Sequence, residues 1–329
     1  MSRLFCADPP GFCAVENSLP NRKVIHPPAL GLGDKIGIIA PASSFSKQAF
    51  EDGCNRLRQM GYEPVYSPGV FERDLYFAGS VERRRQELED LLHQPDVKAL
   101  ICVRGGYGSN YLLESFHFEN FAHYPKILLG CSDITSLLTT ITDRTGLVTF
   151  HGPMLAKDIA EGTFDQASWK NCFSGTNAWS ITPSHMEVLQ PGRAEGRLYG
   201  GCLSMLVQSM GTPYQIQTDD TILFIEDVGE KPFRIDRMLM QLHLGGMLNR
   251  VRGFIFGEML DCVPPKGENY TLQQVITRVL SPYKVPIVYG LKSGHVTGGN
   301  ITLPMGVLAE LTTEQGVELK ILEPATQIR

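Results

Sequence analysis

The sequence predicts an α/β protein with an N-terminal doubly wound, flavodoxin-like parallel sheet and a C-terminal α/β domain rich in strands. Three observations carry this. Five short apolar runs alternate with helix-like stretches between residues 35 and 150, the pattern of parallel strands joined by crossover helices. Two of those runs end in glycine-rich turns, RGGYG at 104–108 and GCSD at 130–133. After residue 195 a second series of strand-like runs begins.

The elements follow in order. Lys35 to Ala40 (KIGIIA) is an apolar run closed by Pro41, as expected of a strand buried on both faces. Ser46 to Met60 has helical spacing and meets Gly61, a helix stop. Glu63 to Tyr66 is a second strand. Val81 to His93 is an amphipathic helix with Leu88, Leu91 and Leu92 on its apolar side. Lys98 to Val103 and Lys126 to Leu129 are the third and fourth strands. Ile134 to Ile141 is a helix, and Leu147 to Phe150 the fifth strand. Residues 157–195 lose the rhythm and read as a connection. Beyond it, Gly201 to Met210 reads as a helix and Thr221 to Val228 as a strand. Pro232 to Leu248 is a long helix with proline in its first turn. Gly253 to Glu258, Val285 to Gly290, Ile301 to Leu311 and Val317 to Leu322 are strands. The expected division is an N-terminal extension over 1–30, an α/β domain over 31–156, the connection over 157–195, and a C-terminal domain over 196–329.

Bulk properties exclude several function classes. The 329 residues exceed what one compact core usually needs. The formal net charge of -5 offers no basic field for nucleic acid and no polybasic patch for a membrane. The eight cysteines form no C-x-x-C pair and no zinc-ligand spacing, so buried thiols in a reducing compartment are expected. No apolar stretch approaches the ~18 residues of a membrane span. Asp8, Pro9, Pro10 and Glu16 interrupt every apolar run near the N-terminus, which argues against a secretory signal. A cytoplasmic location is the expectation.

Four segments can carry chemistry. In KILLGCSDIT a buried strand meets a helix, and a sharp turn there lifts Ser132 out of the sheet. The N–H groups opening that helix lack intrahelical partners and can hold an oxyanion. A plain helix N-cap is the competing explanation for Ser132. VRGGYGSN follows the third strand, and if the third and fourth strands are neighbours the N–H groups of Gly106 and Asp133 can face one point. A phosphate loop is weakly supported, because the lettering fits neither glycine fingerprint. In LFIEDVGEKPFRIDR, Glu226 ends an apolar strand, where packing needs no acid; an ion pair with Arg234 or Arg237 is the alternative. His295 lies in the glycine-rich loop of YGLKSGHVTGGN, and His151, after the fifth strand, is the rival base. Serine, glutamate and histidine in this order, each at a strand end, suit acyl transfer. The histidine removes the serine proton and the glutamate fixes the imidazole tautomer.

The segments GDKIGIIAPAS, RGGYGSNYLL, GCSDIT, HGPM, GGCLSML, LFIEDVGEKPFRIDRML, GFIFGEM and GLKSGHVTGGNITLPMG together resemble the LD-carboxypeptidases. These are serine peptidases that include murein tetrapeptide carboxypeptidases and microcin C self-immunity proteins. The resemblance runs from about Gly33 to the C-terminus. It implies Ser132, Glu226 and His295 as the catalytic triad and the Gly106 and Asp133 N–H groups as oxyanion donors. It also implies a homodimer, and a cytoplasmic muropeptide tetrapeptide substrate that loses its terminal D-alanine in cell-wall recycling. No metal or organic cofactor is implied. Cys131 stands where the family often has a bulky aromatic or apolar residue, and it is small enough for the turn to survive. The free carboxylate of such a substrate needs a cationic partner, for which Arg104 and Lys292 are candidates by position. Three alternatives remain open. A peptidyl-nucleotide substrate would ask for stacking aromatics, and the tryptophans, Trp169 and Trp179, lie in the connection. A non-catalytic anion-binding protein would need neither Glu226 nor His295. A cysteine hydrolase would use Cys131.

Overall fold

The computed structural model describes residues 23–183 and 185–328. The first half contains β1 (Lys35–Ile39), α1 (Lys47–Gln59), β2 (Glu63–Val65), α2 (Val81–His93), β3 (Val97–Cys102), α3 (Asn120–His123), β4 (Ile127–Gly130), α4 (Thr135–Thr145) and β5 (Thr149–His151). Then follow α5 (Gln166–Phe173), β6 (Trp179–Ile181), β7 (Glu187–Gln190), β8 (Arg193–Cys202), α6 (Leu203–Gln208), β9 (Thr221–Glu226), α7 (Pro232–Leu244) and β10 (Gly253–Gly257). The last elements are α8 (Leu272–Leu280), β11 (Ile287–Leu291), β12 (Leu303–Met305), β13 (Leu308–Thr312) and β14 (Glu318–Ile321). Serine caps start two early helices: Ser46 accepts from the Ala49 N–H and Ser80 from the Arg83 N–H. Thr271 and Gln274 close a reciprocal capping box on α8.

The first sheet runs β12-β5-β4-β3-β1-β2. Its strands β1 to β5 are parallel in the order 2-1-3-4-5, which is the flavodoxin-like winding with its switch point between β1 and β3. β12 adds an antiparallel edge, pairing Leu303 with His151. The second sheet runs β6-β14-β13-β8-β9-β10-β11-β7. Its centre, β8 to β11, is parallel, and β13, β14, β6 and β7 are antiparallel.

Alternation along the strands builds the cores. Ile36, Ile38, Ala99, Ile101, Ile127 and Leu129 face one way and share a single cluster with Leu198, Ile222 and Phe224 of the second sheet. Their neighbours Ile39, Leu100, Cys102 and Leu128 face the other way, against α2 and α4. Leu223, Ile225, Phe254 and Phe256 turn to α6, α7 and α8. One apolar cluster therefore spans both halves of the chain.

Several expectations are revised. The 157–195 stretch is not featureless: it holds α5, β6 and β7, and the last two form both edges of the second sheet. Strands of three and four residues at a sheet edge leave too short a pattern to read. The helix expected over 201–210 begins at Leu203, because β8 continues through Gly201 and Cys202 in register with Ile225 and Glu226. The strand expected over 301–311 breaks at Gly306, and its pieces join different sheets. The loose extension expected over 1–30 falls mostly outside the described residues. Its last part is held, since the Ile25 N–H bonds Gly146 O, Ala29 bonds Gln327 O, and Leu30 bonds Phe173 O.

Candidate active site

The turn after β4 departs from regular backbone at Ser132, whose φ is 61°. A non-glycine residue in the left-handed region costs free energy and marks a position held by its surroundings. The next residues form a helical turn leading into α4, so the Asp133 N–H lies where a helix has no internal acceptor. The Asp133 carboxylate is buried. It accepts from the Ser109 N–H at 2.8 Å, and the Ser109 hydroxyl donates to Asp133 O at 2.6 Å. Burial raises this carboxyl, with the bonds from Ser109 partly offsetting it. These bonds tie the turn after β3 to the turn after β4, which are neighbours because the strands pair. Gly105 is the point of closest approach. A β-carbon there would sit 2.9 Å from Ser132 Cβ and 3.1 Å from its Oγ, so no other residue fits without displacing the serine.

Glu226, at the end of β9, is fully buried. Its Oε2 accepts from the His295 main-chain N–H at 3.0 Å and lies 2.8 Å from His295 Nδ1. An ionised carboxylate only accepts, so Nδ1 carries the proton and Nε2 keeps its lone pair. Burial pushes the Glu226 carboxyl up, but its interactions with the two imidazoles, His151 and His295, outweigh it and hold it well below the usual range. For His295, burial lowers the imidazole, while the bond to and charge of Glu226 raise it further, leaving it above 6.5.

His151 is brought to the same carboxylate. Its ring is fully buried, with Nε2 3.6 Å from Glu226 Oε1 and Nδ1 3.1 Å from Ser293 Oγ. At 3.6 Å the first is an ion-pair distance beyond hydrogen-bonding reach, and neither His151 Nε2 nor Glu226 Oε1 has another partner. A ring sealed this way is not placed to take a proton from substrate. The sequence marks His151 by its strand-end position but gives no sign that it faces Glu226.

Two links join Ser132 to this cluster. Gly130, two residues before it, pairs with His151 across β4 and β5. Thr135 Oγ1, three residues after it, accepts from the Cys202 N–H at 3.1 Å, and Cys202 pairs with Glu226. The halves of the chain thus meet at the site.

The remaining candidates are placed as follows. Arg104 is exposed and donates to Ser44 O at 3.1 Å. Lys292 is half-buried just beyond β11. A third cation escaped the sequence reading: the Lys157 charge is close enough to act on both His295 and Cys131. Cys131 is buried, and burial first, then the Glu226 charge, push its thiol far up, against the thiolate that a cysteine nucleophile needs. Trp169 and Trp179 are buried in the shared core, so neither offers an open face for stacking.

A model of the LD-carboxypeptidase N-terminal domain matches residues 36–152, and one of the C-terminal domain matches residues 195–311. The chain is 37% identical over 294 residues to the "Probable murein peptide carboxypeptidase" of Bacillus subtilis, covering 88% of this chain and 92% of that one. It is 30% identical over 314 residues to the microcin C7 self-immunity protein of Escherichia coli, covering 84% and 90%. The crystal structure of muramoyltetrapeptide carboxypeptidase from Oxalobacter formigenes superposes with a TM-score of 0.79 at 29% identity, covering 88% of this chain and 99% of that one. By sequence along both halves and by fold, this chain belongs to the LD-carboxypeptidase family.

Proposed function

We propose that the protein is a serine carboxypeptidase that releases the terminal D-alanine from a muropeptide tetrapeptide, with Ser132 as nucleophile. The observation that carries this is the buried Glu226 carboxylate on His295 Nδ1, with Ser132 held at φ 61° on the turn after β4, the strand whose Gly130 pairs with His151. His295 Nε2 takes the Ser132 proton as Oγ attacks the scissile carbonyl, and Glu226 stabilises the imidazolium that forms. The oxyanion is received by the N–H groups of Gly106 and Asp133. Protonation of the leaving amine by His295 frees D-alanine, and water activated by the same imidazole hydrolyses the acyl-enzyme. Arg104 and Lys292 are the proposed partners of the substrate carboxylate. The protein acts in the cytoplasm as a homodimer in this reading; among the described residues no helix is long and apolar enough to cross a membrane.

A peptidyl-nucleotide substrate is the second reading, favoured by the likeness to the microcin C7 self-immunity protein and weakened by the burial of both tryptophans. Mass spectrometry of a muropeptide tetrapeptide incubated with wild type and with Ser132→Ala tests the proposal. Loss of one D-alanine by the wild type, with the variant slower by about three orders of magnitude or more, is expected. An intact tetrapeptide after incubation with wild type overturns the muropeptide assignment. Equal cleavage by both proteins would reduce Ser132 to a helix cap.

A further inference from the structure

His151 is buried in a way that a serine, a glutamate and one histidine do not account for. It sits inside the first sheet, pairing with Gly130 of β4 on one side and Leu303 of β12 on the other. Its ring is fully buried, and the Phe224 ring meets it edge-on at 5.1 Å between centroids. An imidazole sealed in a core costs free energy unless polar partners meet its nitrogens. An apolar side chain would fill the same space at less cost.

The groups at its two nitrogens both serve the neighbourhood of His295. Ser293 Oγ lies 3.1 Å from Nδ1, and Ser293 is itself fully buried, two residues before His295. Glu226 Oε1 lies 3.6 Å from Nε2. The two carboxylate oxygens are used differently. Oε2 takes the ring and main-chain N–H groups of His295, whereas Oε1 has no hydrogen-bond partner among the described residues. An ionised oxygen left bare in a core is costly, and His151 Nε2 is the group that faces it.

The protons follow from this placement. Glu226 only accepts, so Nε2 of His151 carries the hydrogen toward it, and Nδ1 accepts from the Ser293 hydroxyl. At 3.6 Å, sealed from water, the N–H dipole still acts on the carboxylate charge. Contacts of this kind often shorten when a reacting complex forms.

We propose that His151 is a positioning residue for the triad: held by Ser293, it fixes the second oxygen of Glu226 and draws off part of its charge, so that His295 stays oriented without becoming too basic. It touches neither substrate nor the reacting atoms. The proposal rests on the reading of Ser132, Glu226 and His295 as a serine peptidase triad. Without His151 the carboxylate holds the His295 proton more strongly. The other charged groups near His295 are Asp227 and Lys157. Near Glu226 lie the thiols of Cys131 and Cys202, which burial pushes far up, and of Cys262, which burial pushes up to about 11. All of these stay in place when His151 is replaced, so a shift at His295 reports His151 itself.

The test uses His151→Met, which fills the core without a donor, and His151→Gln, whose amide can present an N–H where Nε2 stood. Ser293→Ala, which removes the donor to Nδ1, disturbs the same relay by a smaller change. Thermal melts and far-UV circular dichroism check folding. In protein labelled with 15N-histidine, the titration of His295 is followed by NMR with no substrate present. His295 is expected to titrate higher in His151→Met than in wild type by at least about half a unit. The rise is expected to be smaller in Ser293→Ala and nearly absent in His151→Gln. On a muropeptide tetrapeptide, kcat is expected to fall about tenfold or more in His151→Met with KM little changed. The midpoint of kcat/KM against pH should move up with the NMR value, and His151→Gln should recover most of both effects. A His295 that titrates no higher in His151→Met than in wild type overturns the proposal, as do equal losses in His151→Met and His151→Gln; His151 is then a packing residue. If His151→Met does not fold, Ser293→Ala decides by the same titration, and an unmoved His295 overturns the proposal. If wild type leaves the tetrapeptide whole, the muropeptide reading fails, and the NMR titration alone then decides whether His151 governs His295.

Discussion

Glu226 sits between two imidazoles, and that single placement governs the ionisation of the site. Glu226→Gln keeps the shape but replaces an acceptor with a group that can present N–H to His295 Nδ1, favouring the wrong tautomer. A loss of about 10³–10⁴ in kcat is expected, read from steady-state kinetics. The pH profile follows from the same contacts. The base must be neutral, and His295 is raised above 6.5, so kcat/KM is expected to rise with pH through a midpoint above 6.5. Stability runs the other way. The raised His295 stabilises fully below 6.5 and loses that contribution as pH climbs through its folded value. The lowered Glu226 stabilises fully above 4.5 and loses it as pH falls toward its folded value. Both contributions are complete between 4.5 and 6.5, where the base is still charged. Melting temperature against pH, wild type minus Glu226→Gln, should show its largest difference in that window. A difference that grows above it would contradict the assignment. Ser132 carries its own cost: Ser132→Gly removes the left-handed strain and is expected to be more stable than Ser132→Ala by about 1 kcal/mol, measured by urea unfolding.

At the scale of elements, the site depends on loops that touch without intervening side chains. Gly294 has φ 89°, and a β-carbon there would fall 2.5 Å from Glu226 Cδ. Gly294→Ala must therefore push the carboxylate away from His295. A fall of at least about tenfold in kcat is expected, since misplacement by about 1 Å can cost 10²-fold. Far-UV circular dichroism should stay unchanged. Full activity in Gly294→Ala would mean that the Glu226–His295 contact is not needed. Most strands are readable as apolar runs; β6 and β7 are not, because short edge strands carry one exposed face and little pattern, and β8 is not, because it opens on the polar residues RAEGR.

At the scale of the whole molecule, β12 leaves the second half of the chain to complete the first sheet, and one core cluster contains strands of both sheets. Such a shared core couples the halves. Thermal unfolding followed by circular dichroism and by tryptophan fluorescence should give coincident single transitions. Two separated transitions would show that the halves unfold independently.

The sequence alone sets the parallel winding of β1 to β5, because short continuous apolar runs alternating with helical stretches admit few other arrangements. It also singled out Ser132, Glu226 and His295, since polar residues at the ends of buried strands serve no packing need. Tertiary structure alone decided what surrounds them. That Glu226 is shared by His151 and His295, that Lys157 lies near the imidazole, and that β12 crosses to the other sheet depend on contacts between residues 69 or more positions apart. Local spacing carries no information about such contacts. They are fixed only when the two sheets bury a common core and bring their strand ends to one place.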